Sequence, residues 1–385
     1  MRKHRQNWLD IFSGFRVALD ARKIVLGTIG AYLTIVIALA LLWVASRWWP
    51  AAQGLMFGLI SDPFKTLWSM LSSLPAQCCA NLCALSDPAT CYMAFRKLAF
   101  VLVGGIVLLF IWSFFGGAIA RLAALDFARD ERPQVGQGIA FGLGKFGSFF
   151  WSPIVPLIFV AVLLLCNVLL GVVGRIPGAG PIILGLLYVL AALSAFLVVL
   201  LLIGTCFGAL FMWPTIAMEG TDSFDAISRA FNYLYARPWK TIWCVLVAIV
   251  YGLAVLLFVV AFAGLLLYIA EHSVARGMGY RFARIGEFLQ SGAPPEQSSF
   301  PELWAAVWMR VVHITVVGLV LGFWASYKIS AMTIIYSVLR RDVDGTEMSE
   351  VFLPEPEEAP AEPPPGELPA EPKPDTAAGE QQKSE

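Results

Sequence analysis

Residues 220–240 read GTDSFDAISRAFNYLYARPWK, and residues 241–264 read TIWCVLVAIVYGLAVLLFVVAFAG. Apolar residues recur at helical spacing through the first stretch, which predicts a short amphipathic helix. Pro238 cannot donate a backbone hydrogen bond and disfavours helical geometry at the residue before it, so the helix should bend there. The second stretch can cross about 30 Å of hydrocarbon. The sequence therefore predicts an elbow, in which a helix in the headgroup plane turns into a spanning helix.

The elbow helix is expected to have two faces. Its apolar stripe should consist of Phe224, Ile227, Phe231, Leu234 and Tyr235, and its polar face of Asp225, Ser228, Arg229 and Asn232. Trp239, directly after the bend at Pro238, lies where aromatic side chains gather at a membrane interface.

The composition of the whole chain points to a membrane protein. Of its 385 residues 58% are hydrophobic and 14% are charged, whereas soluble proteins carry about 25% charged residues. Six apolar runs are long enough to span a bilayer, at 24–46, 99–120, 150–173, 181–207, 241–270 and 308–330. We therefore predict an all-α integral membrane fold with six transmembrane helices.

The elbow pattern recurs twice more along the chain. WLDIFSGFRVALDARK (8–23) precedes the first span, and QGIAFGLGKFGSFFWSP (137–153) precedes the third, where aligning Ile139 with Ile227 also aligns Trp151 with Trp239. We predict three repeats, each an elbow, a helix out and a helix back, arranged about a central axis. Small residues should mark the helix seams, at Gly104, Gly105, Gly116, Gly117, Gly204 and Gly208.

The charges predict an orientation and a boundary. Lys and Arg residues beside the spans are more numerous on the side of the elbows, and such an excess marks the cytoplasmic side. We therefore predict a protein of the plasma (inner) membrane with both termini in the cytoplasm. Residues 1–341 carry 25 Lys and Arg against 14 Asp and Glu, and residues 342–385 carry 2 against 13. A transmembrane domain (1–341) with long outer loops at about 47–98 and 271–307 should precede a disordered, acidic, Pro/Glu-rich cytoplasmic tail (342–385).

Four cysteines cluster in the first outer loop, at Cys78, Cys79, Cys83 and Cys91. In an oxidising compartment they should form disulfides, either 78–83 with 79–91 or 78–91 with 79–83, because a bond between adjacent cysteines would be strained. Free apolar thiols, and metal-binding or catalytic thiols, remain alternatives. The spacing matches no standard zinc pattern.

Several polar residues lie within the spans and are candidates for function. Arg310 and Lys328 are 18 residues apart, about 27 Å of helix, so each can reach its own interface as an anchor. A proton or substrate relay using His313 with Thr315 is the alternative. Asn167 can form a hydrogen bond to a neighbouring helix.

No catalytic, cofactor-binding or metal-binding motif is recognisable, because HExxH, GxSxG and Walker patterns do not occur in the sequence. Asp126, Asp130 and Glu131 flank a helix end and should form a solvated face. Nucleic acid is not an expected partner, because the cations form no stripe.

The elbow sequence DAISRAFNYLYARPWKTIW (225–243) resembles that of one group of uncharacterised bacterial multi-pass membrane proteins, related to the membrane domain attached to some glycerophosphodiester phosphodiesterases. The similarity lies mainly in residues 222–260, where Ala226, Arg229, Phe231 and the pair Trp239-Lys240 fit. It implies a six-helix membrane fold. It implies no hydrolase activity, because the chain lacks the soluble phosphodiesterase domain.

Three functional classes follow. We expect a non-enzymatic scaffold, assembly or regulatory protein that contacts membrane lipid through its elbows and a protein partner through its acidic tail. The first alternative is a transporter, channel or lipid-handling protein, and the second is an enzyme that uses the outer cysteine loop.

Overall fold

The computed structural model describes residues 8–47, 49, 53–56, 88–279, 282 and 300–353, without the side chains of 88–95, 97 and 98. A 3-10 helix, Trp8–Ser13, comes first. The α-helices that follow in the described part are α1 (Gly14–Ala18), α2 (Ala21–Ala45), α3 (Pro88–Arg129), α4 (Val135–Gly144), α5 (Phe146–Val173), α6 (Ala179–Glu219), α7 (Ser223–Ala236), α8 (Pro238–Met278) and α9 (Phe300–Asp344).

Six of these helices are long and apolar enough to cross a membrane, namely α2, α3 from Ala99 onward, α5, α6, α8 and α9. Each contains one of the six predicted spans, so the prediction of a six-helix multi-pass membrane protein is confirmed. The helices are longer than the predicted spans, because apolar extensions of α6 and α9 continue as helix to Glu219 and Asp344.

Short helices precede three of the long ones, and each junction has a local cause. Asp20 ends the turn after α1 and its side chain accepts a hydrogen bond from the backbone N–H of Arg22, which caps α2. Lys145, with φ −107° and ψ 15°, separates α4 from α5. Arg237 leaves helical geometry before Pro238, which opens α8 at the first-turn position that tolerates proline.

We call α1, α4 and α7 the elbow helices, α2, α5 and α8 the outgoing helices, and α3, α6 and α9 the returning helices. The elbow end is the end of the bundle where the elbow helices lie. The three returning helices pack against one another. We call each successive group of one elbow, one outgoing and one returning helix a unit. Each returning helix supports the elbow helix of another unit, since α4 packs on α3, α7 on α6 and α1 on α9. The contacts thus close a ring.

The buried positions show how the second and third units correspond. When Lys145 is aligned with Arg237, buried residues of the second unit coincide with buried residues of the third. The pairs are Gly138 with Ala230, Gly142 with Leu234, Phe149 with Thr241, Ser152 with Cys244 and Pro156 with Ala248. This register sets Trp151 against Trp243. The predicted alignment of Trp151 with Trp239 differs from this register by one helical turn, because it was counted from Ile139 and Ile227 rather than from the breaks at Lys145 and Arg237.

Glycines mark several close contacts between helices. A Cβ on Gly204 or Gly208 would come within about 3 Å of the Phe231 ring, and one on Gly117 would lie 2.8 Å from Phe149. A Cβ on Gly116 would lie 2.4 Å from the ring of Trp213. These four predicted seams therefore lie at close approaches. Among the described residues, a Cβ on Gly104 meets one atom, at 3.9 Å, and a Cβ on Gly105 meets none within 4 Å, so the described part of the chain shows no seam at these two glycines.

A close backbone contact joins α2 to α9. A Cβ on Gly27 would lie 2.6 Å from the carbonyl oxygen of Gly322. The Thr28 hydroxyl donates to the Gly318 carbonyl at 3.1 Å, and Tyr32 donates to the carbonyl of Ile314. Small residues allow this approach, and hydroxyl groups then bond the exposed carbonyls.

The third unit departs from the other two. α2 lies between returning helices α9 and α3, and α5 lies between α6 and α3. α8 packs on α9 but makes little contact with α6 in the described part of the chain.

Residues beyond the last span belong to the helical domain. Residues 342–352, which the sequence assigned to the tail, complete α9 and fold against the elbow end, with Met348 buried. Apolar Met348 and Phe352 explain this packing. Residues 354–385 lie outside the described residues, as do most of the two predicted outer loops.

Candidate functional site at the elbow end

A buried carboxylate, Glu219, lies at the centre of the elbow end. One of its oxygens is 2.6 Å from Nη1 of Arg229, and the other is 3.2 Å from Nε of Arg340. The Tyr336 hydroxyl donates to the same carboxylate at 2.5 Å. Glu219 ends α6 because Gly220 takes a left-handed conformation. Its oxygens are engaged by two guanidinium groups and a phenol, which makes it a structural centre.

Elbow helix α7 is tied to this centre by ionisable groups. Glu219 and Asp225 raise the pKa of Arg229, outweighing the burial that would lower it. Tyr233 donates a hydrogen bond to Asp344 at the end of α9. Burial first, and then this bond to a carboxylate, raise the pKa of Tyr233 to about 12. Both side chains therefore keep their protons at neutral pH.

Two further ion pairs fasten the outgoing helices to the returning helices. Lys23 of α2 is fully buried, and its Nζ lies 2.7 Å from Asp126 of α3. Lys240 of α8 pairs with Asp342 of α9. The expectation that Asp126 lies on a solvated face was wrong, because the helix extends past it into the packed elbow end. Asp130 does remain exposed, in a pair with Arg16.

The start of the C-terminal tail is held by two arginines. Arg121 is buried on α3 and donates to the carbonyl oxygens of Ala217, at 2.8 Å, and Phe352, at 2.6 Å. The backbone N–H of Phe352 donates to the Met218 carbonyl at 2.7 Å. Arg340 donates to the carbonyl of Glu350 at 2.9 Å. We call residues 345–352, with these bonds, the tail clasp.

The Phe352 ring also fixes the clasp sterically. A Cβ built on Gly220 would lie 2.5 Å from this ring, so the ring rests against a glycine with positive φ. Any other residue there would strain the backbone and displace the ring.

The predicted intramembrane residues do not form one site. His313 is paired with Glu271 of α8, a partner that the sequence did not suggest, whereas Thr315 donates to the Val311 carbonyl of its own helix. Asn167 accepts a hydrogen bond from Ser194 of α6 at 2.7 Å. Arg310 lies one turn from His313, and Lys328 lies near the elbow end.

The elbow residues of α7 and the start of α8 differ in how far they are buried. Phe224 and Trp239 are exposed, Ile227 is half-buried and Phe231 packs on α6. The buried face is Ala226, Ala230, Tyr233 and Leu234. The small residues Ala226 and Ala230 allow α7 to approach the bundle closely, and Arg229 on the same helix reaches Glu219.

The cysteine predictions stay open. Cys78, Cys79 and Cys83 lie outside the described residues, and the side chain of Cys91 is not described. The described part of the chain shows free thiols at Cys166, Cys206 and Cys244 and no disulfide. It also contains no group of three His, Cys, Asp or Glu able to hold a metal ion.

Sequence reasoning missed Glu219, Arg340 and Glu271 as interacting residues. No local pattern reveals them, because each partner is distant in the chain. The sequence does carry a weak indication of this site. Lys23, Arg121 and Arg340 lie within or beside apolar runs, where a cation needs an anionic or carbonyl partner.

Six long apolar helices built around a packed elbow end define a multi-pass membrane protein. No protein-family model, curated protein or solved structure matches the chain. The resemblance to the phosphodiesterase-associated membrane domains therefore rests on the elbow sequence alone.

Proposed function

We propose that the protein is a non-enzymatic membrane scaffold that presents its acidic C-terminal segment to a partner at the cytoplasmic face of the plasma (inner) membrane. The observation that carries this proposal is the tail clasp. Two arginines of the helical domain donate to main-chain carbonyls of Glu350 and Phe352, and the segment that follows carries the acidic charge.

The bonds of the clasp should be stronger than ordinary surface contacts. A guanidinium removed from water needs partners for its donors, and hydrogen bonds from charged groups are worth about 1.5–3 kcal/mol each. Arg121 divides its bonds between α6 and the clasp. Arg340 contacts both Glu219 and the clasp. The point at which the acidic segment begins is therefore fixed to all three returning helices.

The segment after Leu353 has the composition of an extended ligand. It contains nine Asp and Glu, two Lys and nine Pro. Such a composition has little apolar surface to bury and many charges to offer a partner. A partner with a basic surface would be attracted over roughly the 8–10 Å Debye length of physiological salt. The cations near the elbow end favour the cytoplasmic side for this meeting.

The ring of contacts suits a scaffold. We regard the three units as an internal repeat in which each returning helix carries the elbow of another unit, with contacts closing from α9 to α1. Side chains fill the elbow-side halves of the returning helices, and Ile119, Ile216 and Ile335 are fully buried there. Such a packed end gives the tail a rigid base.

The test compares three forms of the full chain purified from their native membranes. These are the unchanged protein, a deletion of residues 354–385, and a chain of full length in which Glu355, Glu357, Glu358 and Glu362 are replaced by Gln. Co-purifying proteins are quantified by mass spectrometry. We expect a defined set to fall at least fivefold in both variants.

The full-length Glu→Gln variant separates charge from length. A protein set that is unchanged in the deletion variant would overturn presentation of the tail. A set lost on deletion but kept after charge neutralisation would overturn recognition of acidic charge. Equal membrane yields of the three forms establish that any loss is not caused by misfolding.

A further inference from the structure

Lys328 differs from the other cations of the bundle interior. Lys23, Lys240, Arg121 and Arg340 each have a carboxylate or a carbonyl oxygen as partner. The Nζ of Lys328 lies 5.8 Å from the centroid of the Trp112 ring of α3, and within the described ranges it has no carboxylate partner. An aromatic face compensates a cation only partly. The Lys328 ammonium can therefore accept a further, anionic partner from outside the described chain.

The helix face that carries Lys328 is turned toward the other returning helices. Ile335 and Leu339 lie seven and eleven residues further along α9, hence on the same face, and both are fully buried. Lys328 itself is exposed. In the opposite direction the same face carries Leu321 and Val317, which are 37% and 54% exposed. On this face of α9 the buried core therefore lies between Lys328 and the elbow end. On the other side of Lys328 the face is an exposed apolar surface formed by Leu321 and Val317, which we call the apolar wall.

Lys328 lies at the level of elbow helix α1. Two residues before it, Ser326 donates to the carbonyl of Ala18, the last residue of elbow helix α1, at 3.0 Å. An elbow helix lying in the headgroup plane places Lys328 beside that plane. A cation at this level, below an apolar wall, complements a molecule with an anionic head and acyl chains.

We propose that Lys328 binds the headgroup phosphate of an anionic phospholipid whose acyl chains lie along the wall formed by Leu321 and Val317. Because α6 and α8 make little contact in the described part of the chain, such a lipid would enter from the bilayer between these two helices. Trp112 completes the site with its ring face. The proposal is independent of the acidic tail.

The test measures lipid binding to the delipidated full chain in detergent by native mass spectrometry. Dioleoyl phosphatidylglycerol is compared with dioleoyl phosphatidylcholine, which has the same acyl chains. We expect preferential retention of phosphatidylglycerol, and a loss of about tenfold in this preference for Lys328→Gln. Lys328→Arg should keep the preference and Trp112→Leu should weaken it.

Arg237→Gln is the matched control, because Arg237 is an exposed cation at the bend between α7 and α8. It should leave the preference unchanged. An unchanged preference in Lys328→Gln, or an equal loss in Arg237→Gln, overturns the site. Displacement of the lipid by millimolar inorganic phosphate would show a free-phosphate site and also overturn it. Should Lys328→Gln not fold, Trp112→Leu and Lys328→Arg still decide the outcome.

Discussion

The Nζ of Lys23 lies 2.7 Å from a carboxylate oxygen of Asp126, and the Lys23 side chain is fully buried. The two residues join outgoing helix α2 to returning helix α3 within the first unit. Because both charges are removed from water, the attraction between them offsets the desolvation cost of each. The elbow end thus depends on pairs that form only when the helices are assembled.

Replacing Lys23 by Met should destabilise the protein by about 3–5 kcal/mol, because it leaves a buried carboxylate unpaired. The double variant Lys23→Met/Asp126→Leu should recover most of this loss, since it removes both charges. Unfolding by denaturant in detergent micelles measures both. Arg16→Met is the control, because the Arg16–Asp130 pair is exposed and such pairs contribute at most about 1 kcal/mol. Equal effects of Lys23→Met and Arg16→Met would contradict the buried pair.

The Gly27–Gly322 contact predicts a clear difference between glycines. Gly27→Ala places a Cβ 2.6 Å from a backbone oxygen, and the helices must move apart at a cost of about 1–3 kcal/mol. Gly105→Ala meets no atom of the described residues within 4 Å and should be neutral or slightly stabilising. Thermal unfolding in one detergent compares the two variants. A stable Gly27→Ala protein would show that α2 and α9 are not in close contact.

Tyr233 should make stability depend on alkaline pH. Its folded pKa of about 12 exceeds the unfolded value of roughly 10. The folded state thus holds the proton more tightly, and this contribution is complete below about pH 10 and is lost as the pH rises toward 12. In Tyr233→Phe the fall in unfolding free energy over that range should be smaller by roughly 2 kcal/mol. Tyr188→Phe, at an exposed tyrosine, should keep the full fall, and identical profiles for the two variants would refute the prediction.

The three elbow helices should be reached from one side of the membrane. Ala21→Cys, Gly136→Cys and Ser228→Cys each introduce a thiol at an exposed elbow-end position. A membrane-impermeant maleimide should label all three from the cytoplasmic side and Ile176→Cys, in the turn between α5 and α6, from the other. Peptide-resolved mass spectrometry separates these sites from the native cysteines. Labelling of one elbow from the opposite side would disprove the arrangement.

The tail clasp should be more sensitive to Gly220 than to Gly345. Both glycines have positive φ, but only Gly220 is covered by the Phe352 ring. Both alanine variants carry the cost of a left-handed backbone, about 1–2 kcal/mol, whereas Gly220→Ala also displaces the ring. Hydrogen exchange at the Phe352 amide should therefore accelerate more in Gly220→Ala. Equal acceleration would mean that the ring contributes nothing to the clasp.

Individual residues show how far sequence reasoning reaches. Pro238 and the apolar run after it predicted the elbow and the following helix, because proline restricts the backbone locally. The same reasoning assigned an apolar stripe to α7 from Phe224 to Tyr235, but it did not predict that the small residues Ala226 and Ala230 lie on the face buried against the protein. Hydrophobicity alone does not reveal which neighbour offers a groove. Here Gly204 and Gly208 of α6 leave room for the ring of Phe231.

The sequence by itself determined the membrane class, the six spans and the short helices before three of them. These features follow from helix length, apolar periodicity and backbone restriction, all of which are local. Only the tertiary structure decided that Glu219 meets Arg229 and Arg340, that Lys23 meets Asp126, and that residues 345–352 return to the bundle. Charge pairing and close packing depend on distances between segments remote in the chain, and the order of residues does not specify those distances.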